Sequence, residues 1–266
     1  MMEHTAIRKC SGVAEMQMCV ELQREVWGFS DAELVPLRMF VVAEKIGGQV
    51  IGAFDGKELV GFAMAIPGVR EVEPSPLKPK DGLNGAPLTS YLHSHMLAVR
   101  EGYRDKGLGR GLKLFQREEA LARGIELMEW TFDPLEIKNA YLNLEKLGAI
   151  ARRYNVNQYG ITNSPLQGGL PTDRLVAEWW LKSKRVETTL STGAHPPVKV
   201  ELSVNIPAEV YEWKKSPETR GNALEVQTQA REQLLKVFGQ GLACMGYERD
   251  ERGNGKFLVG KWEGND

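Results

Sequence analysis

Three cations interleaved with three glycines carry the clearest chemical signal in the chain: Arg104, Lys106 and Arg110 among Gly107, Gly109 and Gly111. An apolar run at residues 96–99 precedes them, and residues 108–123 follow with helical periodicity. Glycine admits positive φ and lets the backbone come close to a ligand. The first amides of a helix are unpaired donors at the positive end of its dipole. A strand-to-helix turn of this composition binds anions and suits a pyrophosphate. Two familiar phosphate loops fit it poorly. A P-loop ends in Gly-Lys-Ser/Thr, whereas Gly111 is followed by Leu112 and Lys113. A dinucleotide fingerprint spaces its glycines GxGxxG directly after a strand, whereas here GxGxG begins eight residues past Val99.

Arg104, Gly107 and Gly109 stand in the pattern R-x-x-G-x-G. This resembles the acyl-CoA motif of the GNAT acetyltransferase superfamily. The resemblance covers residues 5–182 and implies a strand that splays from its neighbour, with free main-chain groups of Leu97, Ala98 and Val99 pairing with pantetheine. It implies that Arg104, Asp105, Lys106, Gly107, Leu108, Gly109 and Arg110 wrap the pyrophosphate. Residues 137–147 end in a stretch similar to the family's A-x-x-L-Y-x-K-x-G-F, with Ala140, Lys146 and Gly148 in place. There the chain departs from the pattern: Leu144 stands where many members have the tyrosine that protonates the leaving thiolate, and Asn143 where an apolar residue is usual. Tyr141 lies one turn away and becomes the candidate acid if the helix is rotated. Asn139 and Asn143, spaced for one helical face, are candidate partners for pantetheine or a water, or ordinary solvated polarity. A branch of predicted acetyltransferases with a C-terminal extension is similar in residues 132–136, in residues 170–174 and around Arg231.

The elements that must position these groups follow from periodicity and breakers. Strands are expected at 5–10, 49–54, 59–66, 91–99, 127–132, 149–154 and 175–181, and helices at 13–26, 37–46, 108–123 and 137–147. Asp55-Gly56 marks a hairpin turn. The stretch 74–87, rich in proline and glycine, and the stretch 157–173 read as long loops. The fold class is therefore α/β (α+β): a GNAT-type mixed, splayed central sheet flanked by helices, with a small C-terminal β-α-β-β unit. Residues 1–182 form the acyl-CoA-binding domain in this reading, 183–197 an extended linker, and 198–266 the C-terminal unit. That unit has a strand at 198–204, a helix at 222–238 and a hairpin across Gly253-Asn254-Gly255. It either caps the acceptor cleft or builds a homodimer.

Composition bounds the partners. The formal net charge is -1 over 266 residues, which gives no global attraction to nucleic acid or an anionic membrane. Three scattered cysteines without a C-x-x-C pair fit a reducing compartment. The polar N-terminus has no signal-peptide core, and no apolar run approaches the ~18 residues of a membrane span. A cytoplasmic protein is expected.

Acetyl transfer from acetyl-CoA to an amine requires a base, a polarised thioester carbonyl and an acid for the departing thiolate. A fixed strand amide near Leu97 is the natural polariser. His93 is the first candidate base: an imidazole near its reference pKa of ~6.5 works at neutral pH. His95 shares its strand face and is a candidate substrate contact. Both are equally at home as hydrogen-bonding core residues, and a metal site on the pair lacks a third ligand. Glu136 is a second catalytic candidate. Asp133, Asp173 and Arg174 are candidate acceptor contacts, with turn or ion-pair roles as the alternatives. The resemblance implies an acetyl-CoA-dependent N-acetyltransferase acting on an amine by direct attack. A non-catalytic CoA-binding module is the alternative that Leu144 keeps open, and a nucleotide-binding protein is a third reading.

Overall fold

The computed structural model describes residues 5–71, 88–160, 162, 164 and 166–264. Its elements, in chain order, begin with Thr5–Lys9 (β1), Gly12–Trp27 (α1), Leu37–Lys45 (α2), Gln49–Asp55 (β2), Glu58–Glu71 (β3) and Leu88–Val99 (β4). Then come Leu108–Ala122 (α3), Leu127–Phe132 (β5), Ile137–Ala140 (α4), a π turn at Tyr141–Lys146, Ile150–Asn155 (β6) and Arg174–Trp180 (β7). The last part holds Lys184–Thr192 (α5), Leu202–Ile206 (β8), Val210–Trp213 (α6), Arg220–Gly239 (α7), Leu242–Arg249 (β9) and Gly255–Lys261 (β10). All strands form one ten-stranded sheet in the order β1-β2-β3-β4-β5-β7-β6-β9-β10-β8. Every neighbouring pair is antiparallel except β4 and β5. That parallel pair is joined through α3, since parallel strands need a crossover. The mixed α/β class and the element order through β7 are as the sequence predicts. The stretch 74–87 lies outside the described residues.

Helices cover the two faces of the sheet through separate apolar clusters. Met16, Cys19, Val20 and Leu22 of α1, with Phe40 and Ala43 of α2, bury against Phe62, Met64, Met96 and Ala98. Leu108 and Leu112 of α3 bury on the other face, against Ile51, Ala53, Val60 and Ala63. Strand alternation explains the division: along β3, Phe62 and Met64 face one side and Ala63 the other, and Val60, the extra residue between the Phe54↔Leu59 and Ala53↔Gly61 pairs, joins Ala63 through the phase shift of that bulge.

Two expectations for the C-terminal part are corrected. Residues 183–197 are not an extended linker: Ser183 caps α5 by accepting the Val186 amide at 3.3 Å, and Gly193 ends it at φ +82°. Serine at the N-cap and a left-handed glycine at the C-terminus are strong helix signals, and the polar composition masked them. The strand expected at 198–204 instead runs Leu202–Ile206. It is an edge strand bonded to β10 alone, so Val200 and Leu202 stay 47% and 37% exposed and only Val204 and Ile206 are buried. The C-terminal strands also continue the central sheet, with β9 meeting β6 at Ala151↔Cys244.

Buried charge ties the two parts together. Lys214 Nζ donates to Asp133 Oδ2 at 3.0 Å and to Glu136 Oε1 at 2.9 Å. Arg231 Nε donates to Asp173 Oδ2 at 2.7 Å, and that same oxygen accepts the Tyr154 hydroxyl at 2.6 Å. Lys214 has only 4% of its side chain exposed. Removing one partner of a buried pair strands the other charge. Lys214→Ala is therefore expected to destabilise the fold by about 3–5 kcal/mol, read from the midpoint of urea unfolding. An unchanged midpoint would show that the pair contributes nothing.

Candidate active site

The site is built where β4 and β5 part. Their ladder consists of Leu92↔Met128 and His93↔Glu129. Past that point β4 runs on to Val99 bonded only to β3, and β5 runs on to Phe132 bonded to β7. Residues 94–99 thus present a strand edge whose main-chain groups have no ladder partner on the β5 side. Its length is about 16 Å at the rise of an extended strand. A bulge starts this free edge, since Met64 pairs with Met96 while Ala65 pairs with Ser94, leaving His95 as the extra residue. Bulges bend and twist a strand, which turns β4 away from β5. The bulge also shifts the alternation. Ser94, Leu97 and Val99 all look toward α3, while Met96 and Ala98 look toward α1 and α2.

At the far end of the free edge lies the glycine turn. A 3-10 turn at Glu101–Tyr103 leads to Asp105 at φ +59° and Gly107 at φ +82°, and then into α3. The first intrahelical bond is Gly111 N to Gly107 O at 2.9 Å, so the amides of Leu108, Gly109 and Arg110 point out of the helix end without helical partners. The glycines differ in purpose. A Cβ on Gly107 would meet nothing within 4 Å, one on Gly109 would touch Leu97 at 3.8 Å, and one on Gly111 would strike Ile7 at 2.8 Å. Gly111 therefore serves the packing of α3 on β1, while Gly107 supplies the left-handed turn. Arg104 Nε donates to Val99 O at 2.9 Å and Lys106 Nζ to Gly102 O at 2.5 Å, so both cations also brace the loop. Asp105 is paired with Lys138 at 2.9 Å. Arg110 carries no ion pair among the described residues. Leu97, Ala98 and Val99 lie on the free edge, and residues 104–107 with the first turn of α3 lie beyond its end.

On the sheet face opposite α3, a charge cluster flanks the point of divergence. Glu129 and Glu178 are cross-strand neighbours and almost fully buried. Glu129 accepts Arg70 at 2.5 Å and Arg153 at 2.6 Å, while Glu178 accepts Arg152 and Arg153, each at 3.1 Å. A bulge between Ala151 and Arg153 aims two consecutive arginines at the same carboxylate. Sequence reasoning missed this cluster. Its signal was a lone glutamate in the middle of each of two mainly apolar strands, Glu129 in 127–132 and Glu178 in 174–180.

The structure brings His93 and His95 together, with ring centroids 6.0 Å apart. His93 is opposite Glu129, at the last paired position before the strands part, and His95 is exposed. Burial first, then the neighbouring His95, Lys113 and Arg153, push the His93 pKa down to about 4. The ring is neutral at pH 7 and far weaker as a base than an unperturbed imidazole, which corrects the expectation of a reference pKa. The other acid–base candidates are placed elsewhere. Glu136 and Asp133 are held by Lys214, and Asp133 Oδ1 also accepts the Leu135 amide at 2.8 Å. Asp173 is fully buried on Tyr154, Arg231 and the Asn157 amide, which closes it to a substrate. Arg174 donates to Gln167 and lies beside the Tyr159 ring. Tyr141 turns toward the C-terminal strands, with Arg249 5.7 Å from its ring. The cause is the π turn, where Leu147 N bonds Leu142 O five residues back and shifts the helical phase. The same shift accompanies an exposed Asn139 and a buried Asn143, so the two do not form one solvent-facing edge. Leu144 is fully buried in the core.

No family model matches the chain, and no curated protein matches it in sequence. Solved structures resemble it over about two thirds of its length. YncA of Salmonella typhimurium, solved with its cofactor acetyl-CoA, aligns at 17% identity over 68% of this chain and 95% of its own, with a TM-score of 0.48. An N-acetyltransferase from Staphylococcus aureus aligns at 15% identity over 67% and 99%, with a TM-score of 0.47. A ribosomal-protein-alanine N-acetyltransferase from Brucella melitensis aligns at 19% identity over 65% and 98%, with a TM-score of 0.45. At these scores the likeness carries no argument about chemistry, which rests on the geometry above.

The low pKa of His93 has a consequence for stability. The unfolded chain, with an ordinary histidine near 6.5, takes up a proton that the folded chain refuses. The stability this residue contributes is complete above about pH 6.5 and is lost as pH falls toward 4. An NMR titration is expected to place the His93 midpoint near 4, and a midpoint near 6.5 would overturn the neutral-ring reading.

Proposed function

We propose that this chain is an acyl-CoA-dependent N-acetyltransferase of the GNAT type, moving an acetyl group from acetyl-CoA to an amine of a small molecule or protein by direct attack. One observation carries the reading: an unpaired strand edge ends beside the open N-terminus of a fifteen-residue helix. The helix amides and Arg110 suit the pyrophosphate. The free edge of residues 94–99 suits the amide-rich pantetheine arm, as an added strand would. The thioester then reaches the point where β4 and β5 diverge. An amide on β4 near Leu97 polarises its carbonyl without reorganisation. The acceptor amine approaches from the opposite face, past His93, Glu129 and the arginines.

The fold class alone does not license this assignment. The second reading, a CoA-binding module without turnover, draws on one fact: the family's acid position is Leu144, sealed in the core. Calorimetry with CoA and thiol release from acetyl-CoA across a panel of amines separate the two. Binding with no release for any amine favours the module.

Gly107→Asp provides the direct test of the phosphate loop. The side chain enters open space at the helix N-terminus, and its negative charge opposes a phosphate there. CoA affinity is expected to fall by tenfold or more, about 1.4 kcal/mol, with the circular dichroism spectrum unchanged. Undiminished affinity would remove the loop from the site.

A further inference from the structure

One buried group at the point of divergence has no role in the mechanism above. Lys113 projects from α3 and is almost wholly buried. Its Nζ donates to Ser94 Oγ at 2.8 Å and sits 3.6 Å above the centre of the Trp130 ring. Ser94 is the first β4 residue past the His93↔Glu129 pair, and Trp130 is the first β5 residue past it. Lys113 therefore reaches into the angle between the two strands, on the face that carries α3. Ser94 passes its own hydrogen to Gln116 Oε1 at 2.9 Å, and the buried Gln116 Nε2 has no partner. Among the described residues no carboxylate pairs with the lysine. Glu119, further along α3, is held by Lys9 and Arg123, Arg117 donates to the Leu181 carbonyl, and His93 lies on the other face of β4.

Building on the acetyltransferase reading, we propose that Lys113 is the acid that protonates the departing CoA thiolate, taking the place left vacant by Leu144. The geometry assigns the sides. The phosphate loop at the start of α3 brings the carrier, and so its sulfur, to the α3 face of the divergence, where Lys113 stands. The acceptor comes from the face of His93 and Glu129. In the step, the acceptor nitrogen bonds to the thioester carbon, the C–S bond breaks and its electron pair goes to sulfur. A proton on Lys113 Nζ passes to that sulfur, giving free CoA thiol. The proton shed by the acceptor nitrogen returns to Lys113 through solvent, so atoms and charge balance. Burial pushes the Lys113 ammonium well below the ordinary lysine range, which makes it a readier proton donor. The face of Trp130 supports the cation until the thiolate forms.

The test compares wild type with K113M and K113R, using acetyl-CoA and the best amine of the panel. K113M is expected to lower kcat by roughly 10²-fold, with KM for acetyl-CoA and the CoA dissociation constant unchanged. K113R is expected to recover part of kcat and to move the alkaline limb of the pH–rate profile upward, because arginine holds its proton. Methionine matches the length and suits the apolar surroundings, so K113M is expected to melt no lower than wild type. Full kcat in K113M would overturn the proposal. So would parallel loss of CoA affinity and melting temperature, which would mark Lys113 as packing. An acetyl group found on Lys113 by peptide mass spectrometry would also overturn it, since the lysine would then be an acceptor. These outcomes leave the acetyltransferase reading standing if wild type turns over. CoA binding without turnover by wild type removes both.

Discussion

The β4–β5 ladder stops after two residue pairs, and the rest of the site depends on that interruption. A parallel pair buried on both faces normally zips along its length, because each unmade main-chain bond costs free energy. Here three features oppose zipping. The bulge at His95 turns β4. Antiparallel pairing to β7 holds β5 along its whole length. Lys113, Trp130 and Ser94 occupy the angle from the α3 side. The consequence is a row of main-chain donors and acceptors available to a ligand of similar shape, ending at a helix terminus suited to phosphate.

The interruption also separates two electrostatic environments across one sheet. On the α3 face stand the loop cations and a solitary lysine. On the other, three arginines meet two buried glutamates beside a neutral histidine. Glu129 and Glu178 side by side would repel strongly if unpaired, and the arginines from β3 and β6 offset that. In direct attack one group serves the incoming nitrogen and another the departing sulfur, and the proposed chemistry assigns these two tasks to the two faces.

How much of this was legible in the sequence depended on range. The glycine turn, the strands around it and the helix of α3 are local, and residue spacing located each within a few positions. The helix 184–192 was missed although its serine cap and glycine stop are local too, because its few apolar residues left no stripe to read. The cationic partners of Asp133, Glu136 and Asp173 lie 58 to 81 residues away in the chain. No spacing rule reaches that far, so these carboxylates looked available when they were already engaged. The π turn was invisible for a different reason: it changes helical phase without changing composition, and it moved Tyr141 and Asn143 off the face that an ideal helix gives them. Lys113 lay in plain view next to the motif and was passed over, since one lysine on an amphipathic helix is ordinarily solvated.

Lys214 and Arg231 matter for the order in which the chain is made. Asp133, Glu136, Tyr154 and Asp173 are made before them, and all but the half-buried Glu136 end in the interior. Their cationic partners are synthesised dozens of residues later, so these carboxylates have no Lys214 or Arg231 to pair with until those residues have been added. Strand β9 is made later still, so the sheet extends past β6 only after both cations are in the chain.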